Sequence, residues 1–300
     1  MSGANQPGSP TVAERRPSTT ASIYPVDIVR KLSALTSEFY GHEAASFSAT
    51  RQTPWHGWDE AWRIIVEESP ELAAKPLIAL DLGCGNLRFE RFLSERVREP
   101  VAVHALDNCA ALPKDELDAP LLSDHLDVAF REIDLVEHLL DSPDIPLVNP
   151  GTCNIAVAFG LMHHLPTFAL RVRIIQELIG ALRPGGFAIA SFWQFLNDSR
   201  IAAKAAAVTV EGRAARHLPP FGPGDHLLGW QHAQDVYRFC HHTTDSEIDK
   251  LLTRAQEEAR ADPESLTFRE VARFSADGKE GNLNRYVVLQ RRGPQADALC

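Results

Sequence analysis

Asp81-Leu-Gly83-Cys84-Gly85 is the segment of this 300-residue chain whose residue types and spacing point most directly to chemistry. It follows the apolar run Ile78–Leu82 and precedes a helical pattern carrying Leu87, Phe89, Phe92 and Leu93. A strand, a Gly-x-Gly turn and a helix form a place where backbone approaches a ligand closely, which a Cβ at Gly83 or Gly85 would obstruct. A second acid, Asp107, ends the strand-like run Val101–Leu106, 22 residues after Gly85. The dinucleotide fingerprint Gly-x-Gly-x-x-Gly is absent, because position 88 is Arg. Taken alone, Asp107 also reads as a strand-end turn residue, and Asp81 as a cap on the turn.

Composition bounds the options. The formal net charge is −10 with 44% hydrophobic residues, enough to bury an ordinary core. No apolar run approaches the roughly 18–20 residues of a membrane helix, so no membrane partner is expected. The N-terminus lacks a charged start followed by an apolar stretch, which argues against a secretory signal. Cys84, Cys109, Cys153, Cys240 and Cys300 are odd in number, scattered and without Cys-x-x-Cys. They suggest reduced thiols in a cytoplasmic protein and no metal site built by this chain alone. Phosphate neutralisation dominates nucleic-acid affinity, so the acidic balance weighs against a nucleic-acid partner without excluding one. The best local basic stretch is 200–217, with Arg200, Lys204, Arg213 and Arg216 against Glu211. A solvated helical face beside a loop explains that stretch equally well.

The elements that must position these residues alternate along the chain. Residues 1–24 read as a disordered tail and 293–300 as a second tail. Residues 25–76 read as a helical lid, with helices near 25–48 and 58–68. A domain over 77–292 follows, with strands near 77–82, 101–106, 127–133, 153–159 and 187–193. Helices are expected near 87–97, 114–123, 134–140 and 167–182. Arg183-Pro-Gly-Gly186 reads as a break between helix and strand. Residues 197–230 read as an insertion, followed by a strand-like run at 236–240, a helix at 245–259 and strands at 265–274 and 284–291. Such alternation implies right-handed crossovers and an α/β sheet covered on both faces.

Asp81-x-Gly-x-Gly resembles motif I of class I S-adenosylmethionine-dependent methyltransferases. That resemblance implies a Rossmann-like, seven-stranded, mostly parallel sheet with an antiparallel closing strand, and S-adenosyl-L-methionine as cofactor. It implies that Asp81, Gly83, Cys84, Gly85, Asp107, Asn108, Asp134 and Leu135 bind the cofactor. Gly83-Cys84-Gly85 would pass beneath the methionine moiety and Asp81 would bind its ammonium. Asp107 would accept from the ribose hydroxyls, and Asp134 from the adenine amino group with Leu135 against the ring. Asp134 reads as a helix N-cap as well. Phe47–Trp55, Asp81–Leu93, Leu161-Met-His-His-Leu165, Leu182–Gly186 and Gly224–Trp230 occur in order over roughly 35–292. This set resembles the tRNA wobble-uridine methyltransferases that esterify 5-carboxymethyluridine. The departures are Leu87 for a third glycine, Gly229 for a proline, and a loose match at Val236–Cys240.

The chemistry that this resemblance implies needs little from the protein. A carboxylate with a pKa of about 4 is already ionised, so alignment with the methyl and exclusion of water supply the acceleration. A bidentate arginine suits the acceptor, and Arg51 and Arg238 are the candidates, both near aromatic residues. His163 and His164 follow the fourth strand and would orient substrate, or act as a base for a hydroxyl or amine. His241-His242 lacks a supporting constellation and reads as structural. The implied partners are tRNA and the small zinc-binding activator that eukaryotic relatives use. Two alternatives stay open, an O- or N-methyltransferase of a small metabolite and a non-catalytic cofactor-binding relative.

Overall fold

The computed structural model describes residues 23–118, 124–231, 233, 235–260 and 267–293. The tail expectations for 1–22 and 294–300, the second half of the helix expected at 114–123, and the start of the strand expected at 265 lie outside the described residues. The elements in chain order are α1 (Val26–Ala49), α2 (His56–Glu68), β1 (Leu77–Leu82), α3 (Arg88–Arg96), β2 (Val101–Asp107), α4 (Lys114–Asp118), β3 (Leu126–Glu132) and α5 (Leu135–Asp141). They continue with β4 (Cys153–Ala158), α6 (Phe168–Ala181), β5 (Leu182–Trp193), α7 (Ser199–Ala215), β6 (Asp225–Leu228), β7 (Arg238–His241), α8 (Asp245–Arg260), β8 (Phe268–Ala276) and β9 (Asn284–Arg291).

Seven strands form one sheet in the order β3-β2-β1-β4-β5-β9-β8. The β3, β2, β1, β4 and β5 pairings are parallel, whereas β9 runs antiparallel to both β5 and β8. This is the expected Rossmann-like sheet with its closing antiparallel strand. β1 sits at its centre, and the strand order reverses between β1 and β4. In an open α/β sheet that reversal opens a crevice at the carboxyl ends of the strands, where ligands bind.

Period-two alternation divides the core. Leu80, Leu82, Ala156 and Ala158 face one cluster, packed by α1, α5, α6 and α8. Leu77, Ala79, Ile155 and Val157 face the other, packed by α2 and α3. Burial on both faces is why these strands read as nearly continuous apolar runs. Arg183-Pro-Gly-Gly186 does not separate helix from strand as expected. β5 begins at Leu182 and passes through these residues, with a register shift opposite Cys153–Ile155 absorbing the irregularity.

Leu87 explains what became of the absent third glycine. It caps α3 in the left-handed conformation (φ 56°, ψ 30°) with its side chain fully buried. A branched residue there carries a strain of about 1–2 kcal/mol that glycine would avoid. The side chain offsets it by packing in the cluster that holds Trp58 and Phe89. This produces an unusual order of stabilities. Leu87→Ala keeps the strain and loses the contacts, at a cost of about 2–5 kcal/mol. Leu87→Gly loses the contacts and the strain together, so denaturant midpoints should rank Gly above Ala.

The two-stranded β6–β7 ribbon stands apart from the main sheet and is fixed by buried charge. His241 on β7 bonds Asp225 through Nδ1 (2.6 Å) and Glu247 through Nε2 (2.8 Å). Asp225 also accepts from the Tyr24 hydroxyl (2.7 Å), and Glu247 from Arg171 (2.9 Å). His241 therefore has a constellation around it, and that constellation ties elements together. Burial works against the charged imidazole, but the Asp225 and Glu247 carboxylates outweigh it and raise the His241 pKa. The resulting stabilisation is fully present below the unfolded value of about 6.5 and is lost as pH rises through the higher folded value. The stability gap between wild type and His241→Gln should narrow in urea titrations as pH rises above about 6.5.

Candidate functional site: two charged walls of one cleft

The cleft lies at the carboxyl ends of β1, β2 and β4 and opens to solvent. Asp81, Gly83, Cys84, Gly85, Asp107, Asn108, Asp134 and Leu135 all line it, with Tyr40 and Phe47 of α1 and Trp58 of α2 across from them. The glycines at the turn are required by geometry. Gly83 has φ +78°, and a Cβ there would stand 3.2 Å from Leu161 Cβ; Gly85 has φ +57°. Both conformations are strained for residues bearing a Cβ.

Asp107 organises the turn. Its Oδ2 accepts from Gly85 N–H and its Oδ1 from Cys109 N–H, both at 2.9 Å. Each oxygen keeps a second lone pair for a ligand. Burial pushes the Asp107 pKa up to about 6, partly offset by the amides of Gly85, Cys109 and Asn108. Asp134 performs the capping role, its Oδ1 accepting from Val136 and Glu137 N–H at the start of α5. The Asn108 amide donates to the Ser37 hydroxyl at 2.7 Å, joining this wall to α1.

A recess adjoining the cleft carries guanidinium groups. Arg238, on the ribbon, is 6% exposed and lies against Phe39 (4.7 Å), Trp193 (5.6 Å), Trp230 (5.7 Å) and Phe47 (5.9 Å). Its polar contacts are a long one to the Tyr40 hydroxyl (3.4 Å) and one to the Cys240 thiol, and among the described residues its Nε meets no acceptor. Arg51 stacks on Phe47 and Trp230, its guanidinium donates to its neighbour Thr50, and its carbonyl accepts from the Asn86 amide (2.9 Å). Burial, then the proximity of Arg238, lowers its pKa. Arg51 and Arg238 line this recess together with His163, Trp193, Trp55 and Arg88. Among the described residues, none of these three arginines forms an ion pair with a carboxylate. Arg88 was not anticipated from the sequence. It lies over Trp55 and Trp58 and bonds Asn86 and the Thr53 carbonyl. Burial, followed by repulsion from Arg51, pushes its pKa down to about 10. Its position directly after the glycine turn was the available signal.

The two histidines divide. His164 donates from Nδ1 to the Phe239 carbonyl (2.8 Å), so Nε2 accepts from the Tyr40 hydroxyl (2.9 Å). Both nitrogens are committed, leaving no lone pair for a general base. Burial, then Arg238, pushes its pKa down to about 3. His163 packs on Trp193 with its Nδ1 unpartnered, and burial drives its pKa well below 6.5. His163, His164 and Cys240 bring potential ligand atoms within 4.8 Å of one another. The committed His164 nitrogens and the adjacent Arg238 charge oppose a cation there. The basic residues of 200–217 are divided between internal contacts and the surface. Arg213 bonds the Pro219 carbonyl and Arg216 pairs with Glu38, leaving Arg200 and Lys204 exposed.

No protein-family model matches the chain. It is 29% identical over 156 residues to tRNA (carboxymethyluridine(34)-5-O)-methyltransferase ALKBH8 of Macaca fascicularis, and 28% identical over 156 residues to that of Mus musculus. Each alignment covers 52% of this chain and 19% of the relative, so the match spans about a fifth of the relatives' length. The solved structure of Burkholderia thailandensis 1,6-didemethyltoxoflavin-N1-methyltransferase, with 1,6-didemethyltoxoflavin and S-adenosylhomocysteine bound, is similar at TM-score 0.51 and 16% identity. That superposition covers 92% of this chain and 95% of the other. The chain has the class I S-adenosylmethionine-dependent methyltransferase fold.

The residues present fit that fold's cofactor. Asp81 is 2% exposed at the floor of the cleft with its Oδ1 unpartnered, an acceptor suited to an ammonium. Asp107 offers two oxygens already oriented by backbone amides, a geometry suited to a vicinal diol. Asp107→Asn removes the charge from that pair of acceptors. It should weaken S-adenosylhomocysteine binding by about 1.5–3 kcal/mol in calorimetry. The wild-type affinity should fall as pH drops through about 6, where Asp107 is protonated, and the Asn variant should lack that fall.

Proposed function

We propose that the protein is an S-adenosylmethionine-dependent methyltransferase that esterifies a carboxylate, and that its acceptor is a carboxymethyl-type modified wobble uridine in tRNA. The observation that carries this reading is Arg238, a buried guanidinium ringed by aromatic groups, beside Arg51 and without an acid partner. An uncompensated buried charge is expensive, and an anionic ligand removes the expense. Guanidinium matches a carboxylate through two parallel hydrogen bonds, and the adjacent Trp193, Trp230 and Phe47 offer faces on which a base can stack.

Bound in the cleft, the cofactor supplies an electrophilic methyl group. Arg51 and Arg238 hold the acceptor carboxylate, and Tyr40 fixes Arg238 on one side through a hydroxyl itself held by His164. No proton has to move, because the acceptor is ionised at neutral pH. This agrees with the state of the histidines, since His164 has no free lone pair and His163 is a weak base. For a hydroxyl or amine acceptor, His163 keeps a free Nδ1, but its burial makes it a poor base. The similarity to the ALKBH8 methyltransferases supports the choice of a carboxymethyluridine. Loss of an esterified nucleoside from the tRNA of cells lacking this protein, read by mass spectrometry, would support it. Arg238→Lys should lower turnover by about tenfold or more while S-adenosylhomocysteine affinity stays unchanged, because an ammonium cannot reproduce the two-pronged contact. Undiminished turnover in Arg238→Lys would remove the clamp, and transfer to a small metabolite without RNA would replace tRNA as acceptor.

A further inference from the structure

Glu90 sits on the first turn of α3 with no exposed surface, and among the described residues no donor of another residue reaches its carboxylate oxygens. The helix reads as amphipathic with Phe89, Phe92 and Leu93 buried, so an acid at position 90 is out of place among them. The hydrogen-bonding neighbour of its carboxyl is Asp81, whose Oδ1 also lacks a donor and whose side chain lines the cofactor cleft. Two ionised carboxylates are both acceptors and cannot bond each other. One of them must carry a proton. Such paired acids ionise in two separated steps that belong to the pair.

We propose that Glu90 and Asp81 share one proton, and that Glu90 is thereby a positioning residue that presents Asp81 to the ammonium group of the bound cofactor. The inference rests on the cofactor reading above and adds to it a residue and a proton. The groups facing the pair are mixed. Asp107 on β2 and the Cys84 thiol of the turn lie on its acidic side, and Arg88 and Arg91 of α3 supply positive charge. Burial raises the pKa of both acids above the ordinary carboxyl range, that of Glu90 to about 7, and the Glu90 charge raises that of Asp81 further. An ammonium arriving beside Asp81 favours ionisation of the pair, so binding expels part of the shared proton to solvent. The proton leaves as the ammonium takes its place, and no other bond changes.

Calorimetry with S-adenosylhomocysteine in buffers of differing ionisation enthalpy tests this without turnover. Wild type should release a measurable fraction of a proton on binding, and its affinity should rise between about pH 7 and about pH 8. Glu90→Gln keeps a hydrogen-bond donor beside Asp81 but cannot titrate. It should bind with no such release from the pair and with a flat affinity over that interval. Infrared spectra of the wild type at about pH 8, where Asp107 is ionised, should show a protonated carboxyl that the Gln variant lacks. Equal proton release in the two proteins, or a wild-type spectrum without that band, overturns the shared proton. Failure of wild type to bind S-adenosylhomocysteine at all would instead overturn the cofactor reading.

Discussion

The bond from Gly85 N–H to the Asp107 carboxylate, across 22 residues of sequence, is the constraint on which the cleft depends. It joins the turn after β1 to the end of β2, and it holds the turn in a conformation that only glycine adopts without strain. A charge-assisted hydrogen bond to a buried carboxylate is about twice as strong as a neutral one, and its loss leaves that carboxylate unpaired. Everything nearby inherits this geometry. Asp81 is aimed by the same turn, Cys109 closes the other side of Asp107, and Leu87 is forced into its left-handed conformation where the turn enters α3.

The cleft is electrically divided as a consequence. Asp81 and Asp107 line the cofactor cleft, with Glu90 buried beside Asp81, and Arg51 and Arg238 line the adjoining recess, with Arg88 shared between the two and aromatic rings against the guanidinium groups. Charges buried on this scale interact more strongly than in water. They are kept apart in this fold rather than cancelled as ion pairs, a costly arrangement for stability alone. It suits a reaction between a cationic methyl donor and an anionic acceptor, because charge disappears as the bond forms. A site that excludes water then disfavours the separated reactants more than the transition state between them.

Much of this was legible in the chain. β1 and β9 have the bounds that their apolar runs imply, and the cofactor-side residues sit together because they lie at strand ends, which sequence patterns locate well. What escaped the sequence depends on contacts between distant segments. Tyr40, the hinge of the acceptor wall, reaches Arg238 across 198 residues and His164 across 124. Nothing local distinguishes such a tyrosine from one that merely packs. Glu90 was hidden for the opposite reason, as an ordinary acid on a surface-type helix until its burial was seen. For the basic stretch at 200–217, charge counts do not show which arginines the fold engages, as it does Arg213 with the Pro219 carbonyl and Arg216 with Glu38.

The ribbon shows how an element outside the main sheet can be made rigid enough to carry a recognition group. Four-residue strands bury little apolar area, and a two-stranded ribbon is marginal by itself. Here β7 is tied at both ends. His241 is clasped by Asp225 and Glu247, and through them by Tyr24, near the start of α1, and by Arg171 of α6. Three residues earlier, Arg238 is held by stacking, while Phe239 between them donates to Thr36 of α1 and accepts from His164. Opposite charges clasp the end of the strand that must not move. Stacking and one long hydrogen bond hold the end that must keep its charge unspent for a ligand. On the proposed reading this difference between the two ends is functional, since a carboxylate partner for Arg238 would stabilise the ribbon at the expense of its contact with an anionic acceptor.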